Sequence, residues 1–376
     1  MFTFYNPVKV YKGYGCIRKI TEILQDMNCE KANVLILAMN EFVFEKQDVK
    51  QVIEENPKCH FICKAFTKSN PEISDLYEIY EESKEWNLDV IVAVGGGSVL
   101  DVGKSLCWAY GKNISSQEEL KKIIQEKPNK EITCKWIGVP TTAGTGSEVT
   151  CWATIWNSAE GSKLSIESKN NYAYAALIDT QFAENMPLPL IISSAVDAMS
   201  HATEAYWAKH SNPVSKALSL YAIKTIAGHI EDVFVEEKRK EAQEYLAEAS
   251  LIAGMSFSNT KTTAGHSMSY PLTINYKIPH GLAVGMVLPD ILRENKKQMD
   301  LSELLMAYQV ENEQQIKEKF SKWFEQSEMK YKLSDWGVTK EDVSLLVEES
   351  FTKGRMDNNP VELTKEAVEE IYTSLL

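Results

Sequence analysis

Nowhere in the 376-residue chain is there an uninterrupted apolar run of the roughly 20 residues that a membrane-spanning helix needs. The opening stretch, MFTFYNPVKVYKGYG, has no basic segment followed by an apolar one, so a secretory leader is not expected and a cytosolic location is. Positive charge is also in deficit, with 40 Lys and Arg against 53 Asp and Glu and a net charge of -13. Nucleic acid is therefore a poor partner, because phosphate backbones are gripped by basic surfaces. A small anionic substrate stays open, since a pocket is able to be basic on an acidic protein. The seven cysteines (Cys16, Cys29, Cys59, Cys63, Cys107, Cys134, Cys151) are odd in number and stop at Cys151, which argues against a disulfide framework. Cys59 and Cys63 lack the second pair that a structural zinc site requires. Histidine is scarcer still, with six in the chain.

The length exceeds what one hydrophobic core usually organises, so two domains are expected. Up to about residue 185, short apolar runs alternate with amphipathic segments. ANVLILAM (32–39), CHFICKAF (59–66), LDVIVAVGGG (88–97) and CKWIGVPTT (134–142) read as buried strands, and NPEISDLYEIYEESKEWN (70–87) carries helical spacing. This alternation predicts an α/β domain with a parallel sheet over 1–185. After ENMPLPL (184–190) the segments become long, rich in Ala, Leu, Glu and Lys, and helical in period, which predicts an all-α domain over 186–376.

Two segments of the first half offer nucleotide contacts. In VIVAVGGGSVLDVGKSL a strand runs through Gly95, Gly96, Gly97 and Ser98 into a helix. Glycines let backbone N–H groups approach a pyrophosphate at a helix N-terminus, although the same turn could simply require positive φ. The G-x-G-x-x-G fingerprint is absent. The second segment, GVPTTAGTGSEVT (138–150), supplies Thr141, Thr142, Thr145 and Ser147 as hydroxyl and backbone donors.

The second half holds a candidate metal set. In SSAVDAMSHATEAYWA (193–208), Asp197 and His201 are four apart, which stacks them on one helix face. An isolated pair of this kind is more often a surface hydrogen bond, so further ligands decide the matter. KTTAGHSMSYPLTINYKIPHG (261–281) adds His266 and His280, completing three imidazoles and one carboxylate, a set that suits iron or zinc. His60, His210 and His229 have no comparable partners.

The strings GGGSVLDVGKSL, PTTAGTGSEVT, VDAMSHATEAY and GHSMSYPLTINYKIPHG, in this order, resemble the iron-containing (group III) alcohol dehydrogenases through most of the chain. The resemblance implies a Rossmann-like, dehydroquinate synthase-like N-terminal domain that binds NAD or NADP. It also implies a helical domain that binds a divalent metal, Fe²⁺ with Zn²⁺ as the alternative, and a homodimer or higher homo-oligomer. Ligand roles pass to Asp197, His201, His266 and His280. Cofactor contacts pass to Gly96, Gly97, Ser98, Asp101, Thr141, Thr142, Thr145, Ser147 and, in GSKLSI, Lys163. The implied reaction is hydride transfer between the nicotinamide and a small aldehyde or primary alcohol, with the metal as Lewis acid.

Family members often carry a relay histidine where this chain has Tyr270, whose pKa near 10 makes it a weaker relay. TTAGHSMSYPLT and AKHSNPVSKALSLYAI (208–223) further resemble the phosphonoacetaldehyde reductase (2-hydroxyethylphosphonate dehydrogenase) branch. Such a substrate needs cations, for which Lys261, Lys277 and Arg355 are the candidates. Met39 stands where NAD-selective members often place an acid, with Glu41 two residues on, so cofactor preference is open. The alternatives are a general short-chain alcohol, lactaldehyde or polyol dehydrogenase of the same superfamily and, from another class, a metal-dependent hydrolase whose glycine turn is only structural.

Overall fold

The computed structural model describes residues 1–126, 132–160 and 162–376. The chain forms two compact units. One comprises Asn6–Thr142 and Ser147–Glu184, and the other comprises Asn185–Leu376 with the short segments Met1–Tyr5 and Ala143–Gly146.

The first unit has strands β1 (Lys9–Lys12), β2 (Asn33–Ala38), β3 (His60–Ala65), β4 (Val90–Gly95), β5 (Lys135–Pro140), β6 (Trp152–Asn157), β7 (Ser162–Glu167) and β8 (Ala175–Ile178). Its helices are α1 (Ile20–Asp26), α2 (Phe42–Glu45), α3 (Gln47–Glu55), α4 (Ile73–Ser83), α5 (Gly97–Ala109) and α6 (Gln117–Glu126). Six strands make one parallel sheet in the order β1-β8-β5-β4-β2-β3, as the alternating pattern predicts. Every residue of β4 is buried, which is why it reads as a continuous apolar run rather than an alternating one. The antiparallel hairpin β6–β7 behaves oppositely, and buried positions alternate along WATIWN. Within the predicted helical stretch 70–87, α4 starts with a reciprocal cap between Glu72 and Asp75 and gives way to a 3-10 turn over Lys84–Trp86.

The chain leaves β2 toward β3 but leaves β4 toward β5, in opposite directions across the sheet. That reversal opens a crevice at the carboxyl ends of β2 and β4, where open α/β sheets take their ligands. Met39 and Asn40 follow β2, and the glycine turn follows β4.

The helical unit contains α7 (Leu188–Trp207), α8 (Pro213–His229), α9 (Glu236–Thr260), α10 (Ala264–Tyr276), α11 (His280–Lys296), α12 (Ser302–Ala307), α13 (Glu313–Gln326), α14 (Val343–Glu349) and α15 (Lys365–Ser374). Every residue of α7 from Ile191 to Trp207 is buried, so this helix is the axis of the core. Around it pack Ile223 and Ile226 of α8, Leu246 and Ala249 of α9, and the aromatic side chains Phe320, Trp323 and Phe324 of α13. A helix apolar nearly all round that still carries Asp197, His201 and Glu204 must supply those groups with partners. All seven cysteines are free. No helix among the described residues is long and apolar enough to cross a membrane.

Candidate functional site

Helix α7 presents Asp197 and His201 on one face, and close packing brings α10 and α11 to that face. A Cβ on Gly281 would lie 1.9 Å from the Ser193 carbonyl oxygen, and one on Gly285 would lie 2.7 Å from Val196 Cγ1. These two positions let α11 approach the α7 backbone, and His280 is the first residue of α11. His266 comes from the first turn of α10. Asp197 Oδ1 lies 3.8 Å from His201 Nδ1, 3.5 Å from His266 Nε2 and 3.8 Å from His280 Nε2.

The two inner histidine rings are held from behind. His266 Nδ1 is hydrogen-bonded to Glu204, so in the neutral ring that a metal requires the proton sits on that nitrogen and Nε2 keeps the lone pair toward Asp197. Glu204 is fully buried and its carboxylate also caps α10, accepting from Thr263 Oγ1 at 2.8 Å, Gly265 N at 2.6 Å and His266 N at 3.2 Å. A side chain on Gly265 would meet Glu204 Oε1 at 2.8 Å, so glycine there admits the carboxylate. His201 turns Nδ1 toward Asp197, with the Gly144 backbone beside its ring. Phe257 stacks on the His201 ring at 4.1 Å, and the His201 and His266 rings stack at 4.3 Å.

Asp197 Oδ1, His201 Nδ1 and His266 Nε2 are buried and have no hydrogen-bond partner. Each such atom costs on the order of 1–3 kcal/mol when left unsatisfied. The three residues offer ligand atoms within 4.8 Å of one another, and one divalent cation would satisfy all three at once. The donors therefore fit a metal. His280 adds a fourth nitrogen at the more open side, with its side chain 34% exposed.

Electrostatics follow this geometry. Burial pushes the Asp197 carboxyl upward, but His201, His266 and His280 outweigh it and hold it well below the usual carboxylate range. Burial lowers His201 to about 4. Burial also opposes charge on His266, yet Glu204 and Asp197 together raise it to about 10. Without a metal, then, His201 is neutral and His266 carries a second proton, on Nε2 toward Asp197, which a metal would displace.

Tyr270, one turn beyond His266, stacks on His280 with ring centroids 6.2 Å apart and planes 13° from parallel. Of the basic candidates, Lys277 turns back to cap its own helix, donating to Ile274 O at 2.8 Å. Lys261 closes the end of α9, and Arg355 lies on the loop before the final helix. His60 and His210 are exposed, while His229 stacks on Tyr245 at 3.8 Å.

In the sheet unit, Gly96 is the N-cap of α5 with φ -71°, and neither it nor Gly95 or Gly97 has left-handed backbone. The turn thus does not need glycine for positive φ. A Cβ on Gly95 would instead strike Val99 at 2.5 Å, and the N-cap offers no side chain to the first turn of α5. Ser98 Oγ accepts from Asn70 N at 3.1 Å. Asp101 is tied inward, accepting from Ser147 Oγ at 2.7 Å and Thr154 N at 2.9 Å. Beneath it, the fully buried Lys104 donates to Ser147 O, Ser147 Oγ, Thr150 Oγ1 and Trp152 O at 2.7–3.1 Å. Asp101 and Ser147 therefore lock the second loop to α5. Thr141 N bonds Gly95 O at 3.0 Å, and Thr142 approaches Gly96. Lys163 lies over the Trp156 ring at 4.8 Å. Thr145 belongs to the Ala143–Gly146 segment and so to the helical unit.

Three contributors were not anticipated from sequence. Glu204 lies three residues after His201 and seven after Asp197, a spacing that could have revealed it. Gly144 acts through its backbone, which leaves no side-chain signal. Asn40 Oδ1 is buried without a partner at the crevice beside β2, whereas the sequence pattern points to Met39 and Glu41 there. Met39 itself accepts from Thr141 Oγ1 at 3.4 Å, and Glu41 is exposed.

Comparison with known proteins agrees with this architecture. Residues 7–180 match the iron-containing alcohol dehydrogenase family, and residues 191–376 match the C-terminal region of the Fe-containing alcohol dehydrogenase family. A sulfoacetaldehyde reductase of Bilophila wadsworthia is 27% identical over 381 residues, covering 95% of this chain and 94% of the relative. An NAD-dependent methanol dehydrogenase of Bacillus methanolicus is 27% identical over 393 residues, with both chains covered in full. The solved structure of sulfoacetaldehyde reductase from Bifidobacterium kashiwanohense in complex with NAD+ superposes with a TM-score of 0.87 at 26% identity, covering 100% of this chain and 98% of the other. The fold and the family matches define a dehydrogenase-class enzyme. The chain belongs to the iron-containing alcohol dehydrogenase family.

Proposed function

We propose that this enzyme is a metal-dependent NAD(P)H reductase of a small aldehyde bearing a terminal oxyanion, with phosphonoacetaldehyde and 2-hydroxyethylphosphonate as its substrate pair. In this reading residues 1–185 serve the cofactor and residues 186–376 serve the metal. The observation that carries it is the trio of buried, unsatisfied atoms on Asp197, His201 and His266, with His280 beside them. These four residues hold the divalent ion, for which the family suggests iron. When bound, the ion supplies Lewis acidity toward a carbonyl oxygen and the nicotinamide supplies the hydride.

The remaining work falls to the chain. Glu204 fixes the orientation and tautomer of His266 before anything binds, and Phe257 stacks on the His201 ring. Tyr270, beside His280, is assigned to hydrogen-bonding the product oxygen and passing a proton to it. Its phenol O–H is a weaker proton donor than an imidazolium. The glycine turn, the first turn of α5 and Asn40 lie at the sheet's reversal point and are assigned to the dinucleotide.

Sulfoacetaldehyde is the second substrate reading, favoured because two of the relatives above are named for it. The test is oxidation of NADH and NADPH by anaerobically prepared, Fe²⁺-loaded protein. Phosphonoacetaldehyde, sulfoacetaldehyde, lactaldehyde and butyraldehyde are presented in parallel, with His280→Ala as the control. Preference for phosphonoacetaldehyde, lost in the control, is expected. Preference for sulfoacetaldehyde moves the enzyme to the second reading, and equal use of lactaldehyde and butyraldehyde removes the oxyanion requirement. Inactivity toward all four, with metal bound, defeats the reductase assignment.

A further inference from the structure

Helix α7 sends two groups to a single hydroxyl at the start of α10. Glu204 and Trp207 are three residues apart, which puts them on one face of α7, and both are buried. Between them lies the fully buried Thr263, the residue before α10. Trp207 Nε1 donates to Thr263 Oγ1 at 2.9 Å, and Thr263 Oγ1 donates to Glu204 Oε1 at 2.8 Å. An indole N–H only donates, so it sets the direction of this short chain. The hydroxyl oxygen accepts from Trp207, and the hydroxyl proton points at the carboxylate.

Capping of α10 does not by itself call for this arrangement. A threonine at an N-cap ordinarily accepts from the backbone N–H of the second or third helical residue. Thr263 is the N-cap of α10, yet its side chain makes no such bond. Those two donors, Gly265 N and His266 N, go instead to Glu204 Oε1 at 2.6 and 3.2 Å. A carboxylate from another helix therefore does the capping, and the threonine hydroxyl is turned onto that carboxylate. Oε1 holds three donors, and Oε2 is left for His266 Nδ1. Three donors on one oxygen hold the carboxylate against rotation, and so hold the His266 ring, whose Nε2 lies 3.5 Å from Asp197 Oδ1.

We propose that Thr263 is a positioning residue for the metal centre, fixing the Glu204 carboxylate and through it the aim of His266. The assignment rests on the metal-centre reading above. Thr263 acts through two successive hydrogen bonds, its own to Glu204 and that of Glu204 to His266. Thr263→Val keeps the shape of the side chain and deletes the oxygen. That change frees the carboxylate on one side and leaves the buried Trp207 N–H without its acceptor. Thr263→Ser keeps the hydroxyl and both bonds. In a Glu204→Gln background the carboxylate through which Thr263 acts is absent, so the valine has little aim left to disturb, although it still strands the indole.

The experiment compares wild type with Thr263→Val, Thr263→Ser, Glu204→Gln and the Thr263→Val/Glu204→Gln double variant. It reads the Kd for Co²⁺ by calorimetry, the visible absorption bands of bound Co²⁺, which report its ligand geometry, and the Tm of the metal-free protein. Thr263→Val should bind Co²⁺ about 10-fold more weakly than wild type, with altered bands and a lower Tm. Thr263→Ser should stay within about threefold of wild type and keep its bands. Added to Glu204→Gln, the valine should change affinity by less than about threefold while still lowering Tm, the non-additivity expected of groups that act as one unit. Wild-type affinity and bands in Thr263→Val overturn the proposal even if Tm falls, because the residue then only supports the fold. An equal loss of affinity from the valine in both backgrounds also overturns it, because Thr263 then acts independently of Glu204. Should wild type bind no divalent ion, the metal-centre reading itself fails and the positioning role falls with it.

Discussion

Glu204→Gln removes a charge and almost no volume from a fully buried position in the helical unit. The carboxylate receives Thr263 Oγ1, Gly265 N and His266 N on one oxygen and is bonded to His266 Nδ1 through the other. An amide offers one accepting oxygen and one donating nitrogen. If its oxygen keeps the three donors of α10, its nitrogen faces His266 Nδ1 and forces that atom to accept. The ring proton then moves to Nε2, the atom that faces Asp197, and the lone pair meant for a metal is gone. Losing one charge-assisted bond and the anion at the helix N-terminus costs about 3 kcal/mol together. For a unit of this size that lowers Tm by roughly 6–12 °C. Metal affinity should fall about 10–100-fold, the usual cost of removing such a supporting carboxylate. Calorimetric titration with Co²⁺ or Zn²⁺ and a thermal melt of the metal-free protein measure the two effects. Affinity within about threefold of wild type, together with an unmoved Tm, would refute the argument that Glu204 sets the His266 tautomer.

Metal binding should release a proton at neutral pH. His266 is raised from its ordinary 6.5 to about 10, so in the metal-free protein its protonated form stabilises the fold fully below 6.5 and loses that effect as pH rises through 10. A metal needs the neutral ring, so apparent affinity should climb about tenfold per pH unit between roughly 7 and 9. Calorimetry in buffers of different ionisation heat checks the proton count. Gly281→Ala places a methyl 1.9 Å from the Ser193 carbonyl oxygen, and overpacking against backbone should cost about 3 kcal/mol and weaken metal binding; an unchanged melt would show that α7 and α11 separate freely. Lys104→Met strips four acceptors of their shared donor in the sheet unit and should destabilise it by about 3–5 kcal/mol, read by urea unfolding. Tyr270→Phe should lower kcat about tenfold with little change in KM for NADH, and an unaltered kcat would assign proton delivery to water.

Much of this protein is legible before folding is considered. Strands β2 and β4 are runs of Val, Leu, Ile and Ala because both faces of a parallel sheet are covered, and the glycine turn is visible where β4 meets α5. Strands β1 and β8 span four residues each, too short to carry a period, and are defined by the pairing of β1 with β8 and of β8 with β5. Asp197 and His201 pair by helical spacing, a local property that any α-helix would preserve. The junction of His266 and His280 has another origin. Fourteen residues separate them, and they meet only because glycines at 281 and 285 let α11 lie against α7. The burial of Glu204, the stacking of Phe257 on His201 and the strained backbone of Lys261 likewise depend on which surfaces pack together. By itself the sequence determined which chemical groups were present and which short stretches would be helix or strand, because propensity and periodicity act over a few residues. Only the tertiary structure decided which groups face one another, which polar atoms lose water and which nitrogen keeps its lone pair. Those outcomes depend on contacts between segments far apart in the chain.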